Sequence, residues 1–287
     1  PVLIDVAVST PLIGPKQIAL KLSLKEARLR IPGFDWRKPT AQDCIVWLQL
    51  LMGPSGKLFI PEFRVGSPDL SMNGSIEFDR HYKLFKMNIG KLSLGRTNIS
   101  GQLFVRKNGI YDIQLAGASL DANQLLKTLK DPKEPLVKLP PVNLSAKIGR
   151  VWFDDKTSIN SVAGRLVRDS TAWRWADISG QIAPNQNITL SYNSKNKTRK
   201  LLIRSNNAGN ALRALDILDT VQVQGGILRL IANSDGFEDT NPWSGKLEIK
   251  NYVLMRAPIL AKLLTLASFS GIRDTLSGKK GISFAKL

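Results

Sequence analysis

Two side chains carry most of the nucleophilic and ligating potential of this 287-residue chain: Cys44 is its single cysteine and His81 its single histidine. A thiolate and an imidazole held together could make a nucleophile and base pair. Cys44 stands in "AQDCIVW" and His81 in "FDRHYKLF", and neither context brings them together. The expected roles are a packed thiol and an exposed histidine at a strand edge. One of each also excludes an intrachain disulfide, a multi-thiolate site and a multi-histidine metal cluster. Asp154 and Asp155 in "VWFDDKTS" are adjacent carboxylates. Neighbours on a strand point to opposite faces, so a turn is expected there instead of a paired acid and base. With no G-x-G-x-x-G, Walker-type loop or G-x-S-x-G, the chain is expected to be non-enzymatic, with no catalytic residue, no metal and no cofactor.

The other chemistry is charge. Lys and Arg number 41 against 23 Asp and Glu, a formal net charge of +18. Such a balance points to an anionic partner, whether nucleic acid, acidic lipid headgroups or an acidic protein. Two stretches mix cations with aromatics. "SYNSKNKTRKLLIRS" sets Lys195, Lys197, Arg199, Lys200 and Arg204 near Tyr192, and "RDSTAWRWAD" interleaves Trp173 and Trp175 with Arg174. Phosphate-tracking surfaces with stacking rings have this composition. On a strand, however, the two tryptophans share one face and Arg174 takes the other. A solvated basic rim is therefore expected, and no nucleic-acid partner.

The elements that must position these residues read as strands. In "IALKLSL" Ile18, Leu20, Leu22 and Leu24 alternate with Ala19, Lys21 and Ser23, and the same period of two marks "NITLSYN" and "GKLEIKN". Further alternating runs occupy 2–9, 43–51, 58–64, 70–79, 84–94, 97–106, 109–117, 142–153, 161–168, 173–182, 200–206 and 226–233. Asn73-Gly74, Asn108-Gly109 and the basic "NSKNKTRK" predict hairpins. Three short helices are expected, over 119–130 after a capping Asp121, over 207–219, and over "APILAKLLTLASFSGI" from Ala257 to Ile272. The helix of that last stretch, from Pro258 to Ser268, would be about 16 Å long at roughly 1.5 Å per residue, too short to cross a bilayer. No run reaches roughly 18 apolar residues and no signal pattern opens the chain, which begins without Met and is expected to be a piece of a longer protein. "DPKEPLVKLPP", 131–141, holds four prolines and is the best internal boundary. A dozen or so one-sided strands must cover their apolar face with a second sheet, by closing into a barrel, or with a ligand, since three helices are too few. Periodicity leaves that choice open.

"GKLEIKNYVLMRAPILAKLLTLASFSGIRDTLSGKKGISFAKL", Gly245 to Leu287, resembles the C-terminal region of AsmA-like proteins of Gram-negative bacteria, in particular their YhdP-like branch. The likeness lies in a strand G-x-L-x-I-x-N-Y, an AP-x-LA-x-LL helix, an AS-x-x-G turn and L-x-G-x-x-GI-x-F. "NNAGNALRALDILDTVQVQGGILRL" is similar to another family segment, and "FDWRKPTAQD" and "GASLDANQLLKTL" look like its W-x-K-P and L-D-A-x-x-L elements. Thr40 and Ala41 stand where the family pattern would place a glycine. The resemblance implies a mainly β fold: a long curved antiparallel sheet forming an open apolar groove, with about three short helices. It divides the chain into a β-groove segment, 1–133, and an AsmA-like C-terminal segment, 134–287, continuous with the first and truncated at its end. It implies periplasmic localisation with an inner-membrane anchor outside this fragment. The implied function is carrying phospholipids between inner and outer membranes, so the expected partners are phospholipids, the membranes at the ends of the full-length protein, and envelope proteins. A non-enzymatic envelope scaffold or outer-membrane assembly factor is the alternative. Candidate groove-lining residues are Leu20, Leu22, Val46, Leu48, Ile113, Leu115, Leu144, Ile148, Ile188, Leu190, Leu247 and Ile249, with the inward parity of each strand left open. Pro258, Leu260, Leu263 and Leu264 are the expected groove-capping helix.

Overall fold

The computed structural model describes residues 3–9, 16–31, 36–53, 56–123, 125–126, 140–214, 223–236, 241–254 and 282–284. Two compact units divide the chain, Pro1–Lys156 and Thr157–Leu287. The sequence-based division after 133 falls in residues outside the described ones.

The first unit contains β1 (Leu3–Ser9), β2 (Lys16–Ser23), β3 (Leu29–Ile31), β4 (Trp36–Lys38), β5 (Ile45–Met52), β6 (Leu58–Gly66), β7 (Leu70–Phe78), β8 (Leu84–Leu94), β9 (Thr97–Val105), β10 (Tyr111–Asp121) and β11 (Val142–Trp152). Within it the sheet runs β1-β2-β5-β6-β7-β8-β9-β10-β11 and does not close, while β3 and β4 pair apart from it. The second unit contains β12 (Ser158–Arg168), β13 (Trp173–Ala183), β14 (Gln186–Lys195), β15 (Thr198–Ser205), α1 (Ala208–Ala214), β16 (Val223–Asp235), β17 (Trp243–Leu254) and β18 (Ile282–Phe284). Its strands follow sequence order, again in an open arrangement. The chain is thus mainly β, as its period-two alternation requires.

Among the described residues within each unit, pairing is antiparallel except at two steps, β10 with β11 and β17 with β18. This corrects an all-antiparallel sheet. Parallel neighbours need a long return connection, and the stretch between Asp121 and Val142 supplies one in the first unit, with its proline-rich run unable to continue a central strand.

Turn chemistry separates the expected hairpins. Gly109 has φ +78° and donates to Arg106 O at 2.9 Å between β9 and β10. Asn196 and Lys197 have φ 52° and 61° between β14 and β15, the left-handed pair that a tight hairpin demands. Asn73-Gly74 is the exception: both residues lie inside β7. A Cβ on Gly74 would stand 2.0 Å from Asn88 O and 2.9 Å from the Phe63 ring. That glycine serves close packing, not a turn.

Of the helix expected over 207–219, α1 is described from Ala208 to Ala214, and the remainder lies outside the described residues. Asn207 caps α1, accepting from Asn210 N at Oδ1 (3.0 Å). The helix over 119–130 shows its beginning, with Leu126 N donating to Ala122 O at 2.9 Å and Asp121 accepting from Asn123 N at 3.1 Å. Its remainder, and the helix over 257–272, lie outside the described residues.

β4 carries the W-x-K-P element. Trp36 and Lys38 are buried, and the Lys38 ammonium donates to Lys25 O (2.9 Å), Pro39 O (2.7 Å) and Gln42 O (2.9 Å). The loop it fastens contains Ala41, whose φ is +68° and whose N–H donates to Lys25 O at 3.0 Å. A side chain in this region costs about 1 kcal/mol or more, so the turn keeps the geometry of a glycine that the sequence lacks. Ala41→Gly is expected to raise stability by up to about 1 kcal/mol, reduced by the greater freedom of glycine in the unfolded chain. Urea unfolding checks this, and a lowered midpoint would show that the position is unstrained.

Candidate functional site

Directly opposed residues in a ladder share a face, so the registers reveal what each sheet presents. In the first unit one line of partners runs Val6, Leu20, Leu48, Phe63, Gly74, Ile89, Gly101, Leu115, Ala146. A second runs Ile4, Leu22, Val46, Val65, Met72, Leu92, Ile99, Gly117, Ile148. A third, over fewer strands, joins Ile60, Ile76, Met87, Leu103, Ile113 and Leu144. All nine strands of the larger sheet therefore contribute to one apolar face. The opposite face is polar: Lys21, Trp47, Arg64, Asn73 and Lys91 follow one another, with the Arg64 guanidinium 5.4 Å from the Trp47 ring centre.

Eight of the twelve lining candidates meet on this apolar face: Leu20, Leu22, Val46, Leu48, Ile113, Leu115, Leu144 and Ile148. Leu20 opposes Leu48, Leu22 opposes Val46, and Ile113 opposes Leu144. Only Ile148 of the eight is buried; the others are half-buried. No described helix covers the face. Sequence reasoning missed Phe63, Met72, Ile76, Ile89 and Ile99, which share it. Irregularities in β6 and β8 displace their partners, and Pro61 and Gly90 fall inside them. A bulge of one residue changes parity along a strand, so alternation followed through it points the wrong way. A proline or glycine within an alternating run is the signal that could have located them.

In the second unit the other four candidates again share a face, along Gly180, Ile188, Ser205, Leu228, Ile249 and along Ile178, Leu190, Ile203, Leu230, Leu247. Here α1 lies on it. Ala208, Ala211 and Leu212 of the helix cluster with Ile188, Ile203, Leu228, Leu230 and Leu247, and Leu190 and Ile249 pack against the cluster. These four candidates thus belong to a helix-covered core. Pro258, Leu260, Leu263 and Leu264 lie outside the described residues.

Further along that face sits a cation which sequence reasoning placed on the solvated rim. Arg199 is buried, donates to Ser234 Oγ at 2.7 Å and Asn241 O at 3.3 Å, and lies 4.9 Å from the centre of the Trp243 ring. Tyr192 stands beside the same ring. Ser194, Arg199 and Ser234 are consecutive partners across three strands, so the parity of "NSKNKTRK" turns this one arginine inward while Lys200 points out.

Cys44 is buried in the first unit; burial pushes its thiol pKa up while the nearby Lys38 pulls it down, which leaves it a poor nucleophile. His81 is exposed in the β7–β8 turn, where Asp79 accepts from its N–H at 2.8 Å. Asp154 and Asp155 form a bend: Asp154 accepts from Lys156 N at 2.6 Å and Asp155 pairs with Arg96 at 3.3 Å. Among the described residues no three His, Cys, Asp or Glu side chains group as a metal site, and no helix is long and apolar enough to cross a membrane.

The chain matches no family model, and no curated protein or solved structure matches it significantly. What the arrangement can do rests on its own geometry. A face of half-buried aliphatic side chains, backed by a polar face, can hold an elongated apolar molecule with no specific contact. Each methylene it removes from water contributes about 0.8 kcal/mol.

Proposed function

We propose that the chain is a segment of a periplasmic, membrane-bridging protein that carries phospholipids between inner and outer membranes, with acyl chains on the apolar face of the first unit's sheet used as a groove. The observation that carries this reading is the nine-strand apolar face that no described helix covers. Support comes also from the resemblance of Gly245 to Leu287 to AsmA-like proteins, with a membrane anchor outside this segment. The reading involves no enzymatic step: lipid moves because adjacent positions on the face offer similar apolar surroundings.

The test is lipid extraction and native mass spectrometry of the purified chain. Copurifying phospholipid is expected. Leu48→Asp, a carboxylate in the middle of the face, is expected to reduce bound lipid by roughly tenfold or more, since an unpaired charge is costly in apolar surroundings. Lys21→Asp, on the opposite face, is expected to leave it unchanged. Absence of phospholipid, together with photo-crosslinks from position 48 to protein only, would sink the proposal.

The second reading, a scaffold or assembly factor binding envelope proteins, has one observation in its favour. β1 exposes Leu3, Ile4, Val6 and Val8, each more than half accessible, along the edge of the sheet. An apolar edge strand is a template for strand addition by another chain.

A further inference from the structure

On the second unit's sheet, the face turned away from α1 carries an unusual charge pattern. Arg204 of β15 and Arg229 of β16 are directly opposed, and both are exposed. Like charges in that position repel, which a sheet normally avoids. Lys200, Lys246 and Lys250 share the face and are also exposed. Against these five cations β15–β17 present two carboxylates, Glu248 and, at one end opposite Thr198, Asp235. Glu248 lies 2.5 Å from Lys246 and 3.9 Å from Arg229. Lys246 foremost, then Arg229 and Lys250, hold its carboxyl below the usual range, with desolvation opposing them. Arg204 has no carboxylate partner among the described residues. Farther along the sheet, Arg165 and Asp177 oppose each other and balance.

Apolar side chains interrupt this field: Ile231, half-buried, opposes both Leu202 and Lys246, and a more exposed one stands beside Arg229. Ile227 opposes Lys250, follows Arg229 on the same face, and is 52% exposed. Phosphates of a nucleic acid would answer the cations but leave Ile227 in water. An anionic bilayer surface answers both, with headgroups over the arginines and Ile227 entering the interfacial region. We infer that this face of β15–β17 docks on anionic lipid surfaces. This goes beyond lipid carriage on the first unit's apolar face, and it uses the face of the second unit's sheet turned away from α1.

Cosedimentation of the chain with phosphatidylcholine vesicles, with and without phosphatidylglycerol, tests the inference. Binding is expected only to the anionic vesicles and should weaken with salt. Each basic residue near such a surface is worth roughly a fivefold change in partitioning, so Arg204→Gln with Arg229→Gln should lower it about thirtyfold. The thermal midpoint of that variant should hold or rise, because the opposed charges are gone. Lys21→Gln with Lys91→Gln removes the same charge from the first unit's polar face and should change partitioning little. An equal loss in both pairs would reduce the effect to net charge and overturn the assignment. So would unchanged binding of the arginine variant, no binding to anionic vesicles, or displacement from them by single-stranded nucleic acid held more tightly.

Discussion

Replacing Lys38 by Met is expected to destabilise the first unit by about 3 to 5 kcal/mol, a large fraction of the stability of an ordinary domain. The ammonium is 1% exposed and donates to three backbone carbonyls, at Lys25, Pro39 and Gln42. Methionine fills a similar volume but leaves those oxygens without their charge-assisted donor. Arginine should not rescue the loss, because a planar guanidinium cannot replace an ammonium surrounded by three acceptors at these distances. Urea unfolding measures the stability, and the labelling rate of Cys44 by a thiol reagent reports the local opening. Cys44 is itself 1% exposed, and its carbonyl accepts from Leu24 N at 2.8 Å, so loosening the loop should make the thiol reactive. An unchanged midpoint with Cys44 still protected would refute the role given to Lys38.

Gly209→Ala is expected to cost about 2 to 4 kcal/mol in the second unit. A Cβ at this helical position would stand 2.0 Å from Val223 O, a backbone atom that cannot rotate away. α1 must therefore lift from the sheet. Lifting exposes Leu212 and Leu228, which are nearly inaccessible, and strains the Asn207 cap and the bond from Asn206 Nδ2 to Asn185 O (2.8 Å). In an ordinary exposed helix the same change stabilises, because alanine is the better helix former. The sign of the effect thus discriminates. Thermal unfolding with hydrogen exchange at 203 and 230 measures it, and a stabilised variant would mean that the helix does not seat as closely as the structure has it.

These two sites show where legibility in the sequence ends. "WRKP" is recognisable as an element, but nothing in it says that its lysine is buried, since a lysine beside an arginine ordinarily faces water. A helix over 207–219 is expected from the sequence, and α1 forms within it. Its closeness to Val223 is a contact across a chain separation that no local pattern records. Asn73-Gly74 misleads for a related reason. The dipeptide is permissive for a turn, yet the space demanded by Phe63 from the neighbouring strand decides what the glycine is for.

Alternation by itself determined that the chain is mainly β and that its strands are one-sided, because side-chain direction in a strand follows position with period two. Composition determined the excess of positive charge. The tertiary structure decided that α1 covers the apolar face of the second unit. It also decided that Arg204 and Arg229 confront each other and that Arg199 turns inward. Each of these depends on cross-strand register and on bulges, which set the neighbours of a residue through hydrogen bonds to distant segments, and such pairings leave no period in the sequence.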